Sequence, residues 1–207
     1  MLPVMSRENR EVIRLQALKL FAERGYEAVG VQEIVLKAGI TKPTMYHYFG
    51  DKRTLFAEII SVNGDELLDR IRRKSSRSNS LEMALSEAAS SIVGFAVEHL
   101  DFYRLYLSLW FAPPESDSAT IARPYHQSLF ELMKAIFEES AEGSRQFSHA
   151  AEYAFSFLGQ VHTYIGAFLG GAVSYDRNAA TRIIHRFLNG IMDDRSDLRP
   201  AIDGGGI

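Results

Sequence analysis

Between Thr41 and Tyr48 the chain sets an ammonium, an imidazole and four hydroxyls close together, on Thr41, Lys42, Thr44, Tyr46, His47 and Tyr48. Hydroxyls and an ammonium hydrogen-bond to phosphate oxygens and to base edges in a nucleic-acid groove. Met45 and Phe49 fall among them at i, i+4, so a short helix here has an apolar side. Lys42, Pro43, Thr44, Tyr46, His47 and Tyr48 are then left mostly outward. Other chemistry finds little support. There is no glycine-rich phosphate loop, no Gly-x-Ser-x-Gly elbow and no His-Glu-x-x-His. The six histidines form no i, i+4 pair, and the neighbours Glu98, His99 and Asp101 point apart on a helix. With no cysteine, thiolate zinc sites and cysteine nucleophiles are excluded. The expectation is no enzyme, no catalytic residue, no metal and no cofactor.

The elements that would position Thr41–Tyr48 are legible in the apolar pattern. Ile13, Ala17, Leu20 and Phe21 recur at helical spacing, giving a first helix over about 7–24 that Gly25 ends. Short helices follow at about 31–38 and 42–49, with Gly39 supplying the turn and Ile40 plugging it. Ile34, Val35 and Ala38 face the first short helix inward. Thr41 is placed to cap the second, and Pro43 is tolerated in its first turn. Neither helix is long enough to stand alone, so both must pack on neighbours. Helices are further expected at about 52–74, 81–97, 98–111, 119–140, 147–172 and 177–191, with Pro124 starting or kinking its own. No stretch alternates long enough for a strand. The class is all-α, with about nine helices.

In residues 10–60 the chain resembles the TetR family of regulators. Phe21-Ala22-Glu23-Arg24-Gly25-Tyr26 closes helix 1. Ile34 and then Ala38-Gly39-Ile40-Thr41-Lys42-Pro43-Thr44-Met45-Tyr46-His47-Tyr48-Phe49 span the two short helices. Asp51-Lys52-Arg53-Thr54-Leu55-Phe56 opens the fourth. The resemblance implies a helix-turn-helix at about 31–50 within a three-helix DNA-binding domain (1–55), then a helical ligand-binding and dimerisation domain (56–192). It also implies a homodimer on a palindromic operator of double-stranded DNA. Thr41, Lys42, Pro43 and Thr44 would then touch bases, and Tyr46, His47, Tyr48 and Lys52 would grip phosphates. Two positions depart from the family pattern. Val29-Gly30-Val31 stands where a capping Ser or Thr is usual, and Val35 replaces a small residue.

The same resemblance implies a small-molecule effector, and the second domain is rich in aromatics to wall a site for an apolar one. The candidates are Phe102, Tyr103, Tyr106, Trp110, Phe111, Tyr125, Phe155 and His162, although plain core is the first reading for any one of them. Gly159, Gly166 and Gly170 shave one flank of the 147–172 helix, which suits close approach of another helix. Ile184, Phe187 and Leu188 lie on an apolar face of the last helix. These six are the expected dimer interface. The functional expectation is a repressor released by a small, largely apolar effector. The alternatives are a regulator without an effector and a helical enzyme or scaffold that does not bind DNA.

The charge distribution agrees. Residues 1–77 carry 14 Lys and Arg against 10 Asp and Glu, a net of +4, while the remainder carries −7. Arg72, Arg73, Lys74 and Arg77 form a basic cluster, read either as a solvated helix end or as a DNA contact. Residues 155–173, the most apolar stretch, are interrupted by Gln160, His162 and Thr163, so no membrane partner is expected and the location is taken as cytoplasmic. The tail 193–207 is expected to be disordered.

Overall fold

A computed structural model describes residues 3–139, 149–176 and 178–189, with side chains from Glu8 onward. The tail 193–207 lies outside the described residues. Among the described residues nine α-helices account for the regular structure, with one short 3-10 turn. They are α1 (Pro3–Arg24), α2 (Val31–Ala38), α3 (Lys42–Phe49), α4 (Lys52–Ser75), α5 (Leu81–Glu98), α6 (Leu100–Ser108), the 3-10 turn Leu109–Phe111, α7 (Asp117–Glu139), α8 (Ala150–Leu169) and α9 (Ala179–Asn189).

Left-handed glycines punctuate the first part of the chain. Gly25, Gly39 and Gly50 have φ of 80°, 66° and 76°, a region that costs glycine nothing and other residues strain. At the turn after α2, the Gly39 and Ile40 N–H groups close on the Leu36 and Val35 carbonyls, at 3.2 and 3.0 Å. The Asp51 carboxylate caps α4, accepting the Thr54 N–H at 2.6 Å. Gly30 has no side chain to offer α2; instead the Glu33 carboxylate reaches back to the Gly30 N–H at 3.2 Å. Thr41 stands at the N-cap of α3 in extended conformation, yet makes no side-chain cap bond. Its hydroxyl pairs with that of Thr44 at 2.9 Å.

The first helices close on a trio of rings. Tyr26 lies 4.4 Å from Phe56 between centroids, and Phe21 lies 5.4 and 5.5 Å from them. Val35 is accommodated in this core, fully buried beside Ile34. α4 then runs on unbroken, so the division expected at 55/56 falls inside a continuous helix. It packs against α5 and α7, while α5 is central, burying Leu85, Ala88, Ala89, Ile92, Phe95 and Ala96. Where α4 meets α7, the Tyr125 ring lies directly on Gly64. A Cβ at Gly64 would sit 2.5 Å from Cδ1 of that ring, so only glycine allows this approach. Arg53 pairs with Asp117 at 3.2 Å, tying the start of α4 to the start of α7.

Two expectations are corrected. The helix read over 98–111 is two pieces: α6 starts after His99, close to the expected boundary, but ends at Ser108, where the chain tightens into the 3-10 turn Leu109–Phe111. Pro124 does not start α7, which begins at Asp117 and carries it in its interior.

Candidate nucleic-acid interface and apolar groove

α3 is anchored by Met45 and Phe49, both buried in the core, where the helix packs on α2 and α4. The anchoring turns Thr41, Lys42, Pro43, Tyr46 and His47 to the exterior, with Tyr46 45% exposed, and leaves Thr44 half-buried. Tyr48 is half-buried, its ring 5.4 Å from His47 and its carbonyl held by Arg10 at 2.9 Å. Arg10 also pairs with Glu58 and lies 4.6 Å over the Phe49 ring. One guanidinium therefore clamps α1, α3 and α4 together. Sequence reasoning missed Arg10, because its partners lie 38 and 48 residues away.

Lys52 has a different setting from the other expected phosphate contacts. Its ammonium donates to the carbonyls of Tyr26 and Val29, at 3.1 and 3.0 Å, and sits 4.1 Å over the Tyr26 ring. It thus holds the α1–α2 turn. Burial first, then the carboxylates of Asp117, Glu27 and Asp51, push the Tyr26 phenol up to about 12, so it stays neutral beneath that ammonium. Replacing Lys52 with methionine is expected to cost about 1–2 kcal/mol, below the full worth of charged hydrogen bonds because the group is half-exposed. If Lys52 only positions α2, the salt dependence of DNA affinity will keep its slope. A slope reduced by about one ion would instead make Lys52 a phosphate contact.

The basic cluster at Arg72–Arg77 sits at the other end of α4 from α3, about 30 Å along a helix rising 1.5 Å per residue. That distance favours the solvated helix end; Arg72 pairs locally with Asp69.

In the second part of the chain the expected aromatics separate into two groups. Phe102, Tyr103 and Tyr106 are wholly buried core, and Tyr125 belongs to the α4–α7 contact, so none of these four lines the groove. Trp110, Phe111, Phe155 and His162 do come together, with Leu107, Leu158, Gly159, Thr163 and Gly166, around a groove of about 520 Å³. Phe111 is 92% exposed and Phe155 59%. Trp110 and Phe155 also line a second concavity of about 330 Å³, with His126, Gln127 and Arg123. His126 stacks on the Trp110 indole at 4.5 Å and meets the Tyr106 carbonyl at 3.3 Å. Burial pushes the His126 and His162 imidazoles down to about 4, so both are neutral at pH 7.

The expected dimer residues also divide. Gly159 and Gly166 are exposed, and a Cβ at either meets nothing within 4 Å. With Ser156, Gln160 and Thr163 they form an open stripe along α8. Gly170 ends α8 and Leu188 is exposed. Ile184 and Phe187 turn the other way: Ile184 is buried in the chain's own core, and Phe187 packs on Phe137 and Phe157 at 6.0 and 5.7 Å. α9 therefore spends those two on folding its own chain. No group of three or more potential metal-binding side chains occurs among the described residues, and no helix there is long and apolar enough to cross a membrane.

A compact helical head presenting its third helix outward, on a larger helical body, is the build of a helix-turn-helix DNA-binding regulator. Residues 13–59 match the family model of the bacterial regulatory proteins of the tetR family. It is 26% identical over 163 residues to the uncharacterized HTH-type transcriptional regulator YuxN of Bacillus subtilis, covering 77% of this chain. The match spans about half of that relative's length, 54%. The fold is shared with FadR of Bacillus subtilis, solved in complex with stearoyl-CoA (TM-score 0.75, 15% identity, 87% of this chain and 98% of FadR). It is shared too with AibR, solved with isovaleryl coenzyme A and operator DNA (TM-score 0.69, 19% identity, 86% and 96%).

Proposed function

We propose that the chain acts in the cytoplasm as a homodimeric repressor, reading a palindromic operator through α3 and leaving it when a largely apolar effector binds. The carrying observation is the outward set on α3: Thr41, Lys42, Pro43, Tyr46 and His47 exposed around a buried Met45 and Phe49. In this reading Thr41, Lys42, Pro43 and Thr44 enter the major groove and specify sequence. Tyr46, His47 and the edge of Tyr48 hold phosphates and set register. Residues 1–55 form the reading head, and residues 56–192 supply effector site and dimer face. The α8 stripe from Ser156 to Gly170, with Leu188 of α9, meets its copy about a two-fold axis.

The groove beside Trp110 is the effector site in this reading, because its lining is nearly all apolar. FadR and AibR, of the same fold, were solved with acyl thioesters of coenzyme A, and an acyl chain suits such a groove. Release follows from linkage: an effector that binds better to the DNA-incompetent shape shifts the population toward it.

Binding to a palindromic duplex, followed across salt concentrations, tests the reading. Affinity should fall steeply with salt. Tyr46→Ala should weaken every duplex alike, about 3- to 10-fold, as loss of one net hydrogen bond implies. Thr44→Ala should instead reorder preference among operator variants, by about 1–3 kcal/mol at one base pair. Equal affinities for wild type and both variants would remove α3 as the reader.

A further inference from the structure

The two concavities share a wall but differ in character. The larger is lined by no charged residue, and the smaller by a single one, Arg123. Between them stands Trp110, its indole face against the His126 imidazole and its edge 6.0 Å from His162. Phe155 completes the wall, backed by Phe130 at 4.3 Å. Both imidazoles are neutral at pH 7, so among the described residues Arg123 holds the only formal charge lining either space. Its guanidinium donates to the Pro114 carbonyl at 2.5 Å, and no ion pair holds it among the described residues. A cation without a carboxylate, at the rim of an otherwise uncharged and largely apolar site, favours an anion that brings apolar bulk with it.

We propose that the two concavities are one bipartite site for an anionic amphiphile, with the apolar chain in the Trp110–Phe155 groove and the anionic head on Arg123. This rests on the effector groove proposed above and adds a head-group specificity to it. Arg123 reads charge and the groove reads length. The anion can be a carboxylate or the phosphates of a thioester carrier, since a guanidinium binds either through paired N–H donors. Chains with neutral heads have only the groove, so they bind without drawing on Arg123.

Trp110 is the only tryptophan, so its fluorescence reports occupancy of this wall directly. The full chain would be titrated with decanoate, decanoyl-CoA, decanol and coenzyme A alone, as wild type, Arg123→Gln and Arg123→Lys. Arg123→Gln should lower affinity about 10- to 100-fold for whichever anionic chain binds wild type, and leave decanol unchanged. Arg123→Lys should recover part of the loss, more for a phosphate than for a carboxylate. Decanoate and decanoyl-CoA, compared on wild type, identify which head is taken. Anionic chains that bind Arg123→Gln as well as wild type would overturn the head-group site while sparing the groove. Equal loss for decanol would overturn it too, by showing that the substitution damaged the groove. If none of the four changes the Trp110 signal, the groove reading falls with it.

Discussion

Phe56→Ala is expected to cost about 3–5 kcal/mol and to take operator binding with it. Phe56 has no exposure, and its ring is shared between Phe21 at the end of α1 and Tyr26 in the following turn. Removing it leaves a cavity that neither neighbour can fill, and phenylalanine truncations in such cores cost about this much. Domains are stable by only about 5–15 kcal/mol in total, so the head would lose a large part of its margin. Thermal unfolding should begin roughly 6–20 °C earlier, taking about 2–4 °C per kcal/mol for a chain of this size. The same truncation at Leu36, 78% exposed on α2, should leave the melt unchanged. A Phe56→Ala melt within 1 kcal/mol of wild type would mean that the three rings are not the keystone of the head.

Gly166→Leu should separate folding from assembly. A side chain at Gly166 has open space around it, and leucine is the better helix former by up to about 1 kcal/mol. The single chain should therefore fold at least as well as wild type. If α8 meets its copy along the glycine stripe, four new heavy atoms per chain must break that approach. The variant would then sediment as a monomer and lose operator affinity by orders of magnitude, having one half-site contact in place of two. Because Gly166 also lines the groove proposed for the effector, mass and DNA binding should be measured without added ligand. A variant that stays dimeric places the interface elsewhere. Gly64→Leu is the instructive contrast, since its side chain would meet the Tyr125 ring and disturb folding itself.

The head was the most legible part of the sequence. α2 and α3 begin and end where the pattern puts them, because a glycine at positive φ, Gly39 or Gly50, stops each one and local geometry decides the outcome. Further along, tertiary packing decided. The apolar run through 98–111 contains no glycine or proline, so nothing local announces the tightening at Leu109. That tightening matters for the site: Phe102, Tyr103 and Tyr106 lie on the buried face of α6, whereas Trp110 and Phe111 sit in the 3-10 turn and swing outward. Counting aromatics could not separate them. The α9 face was likewise read as one surface, although its own chain covers Ile184 and Phe187 and leaves Leu188. Lys52 was legible as a cation at the head of α4, but not the carbonyls it serves, 23 and 26 residues earlier.

The seat of Tyr125 on Gly64 gives α4 a fulcrum. This helix of 24 residues is about 36 Å long, and about 18 Å of it separates Gly64 from Lys52, next to α3. A tilt of roughly 10° about that seat carries the outer end some 3 Å, a displacement comparable to a whole hydrogen bond. In a symmetric pair the two ends move oppositely, so the separation of the reading helices changes by about twice that, against half-sites spaced about 34 Å apart. On the two-fold pairing proposed above, a modest rocking of α7 would put the reading helices out of step with a palindromic operator.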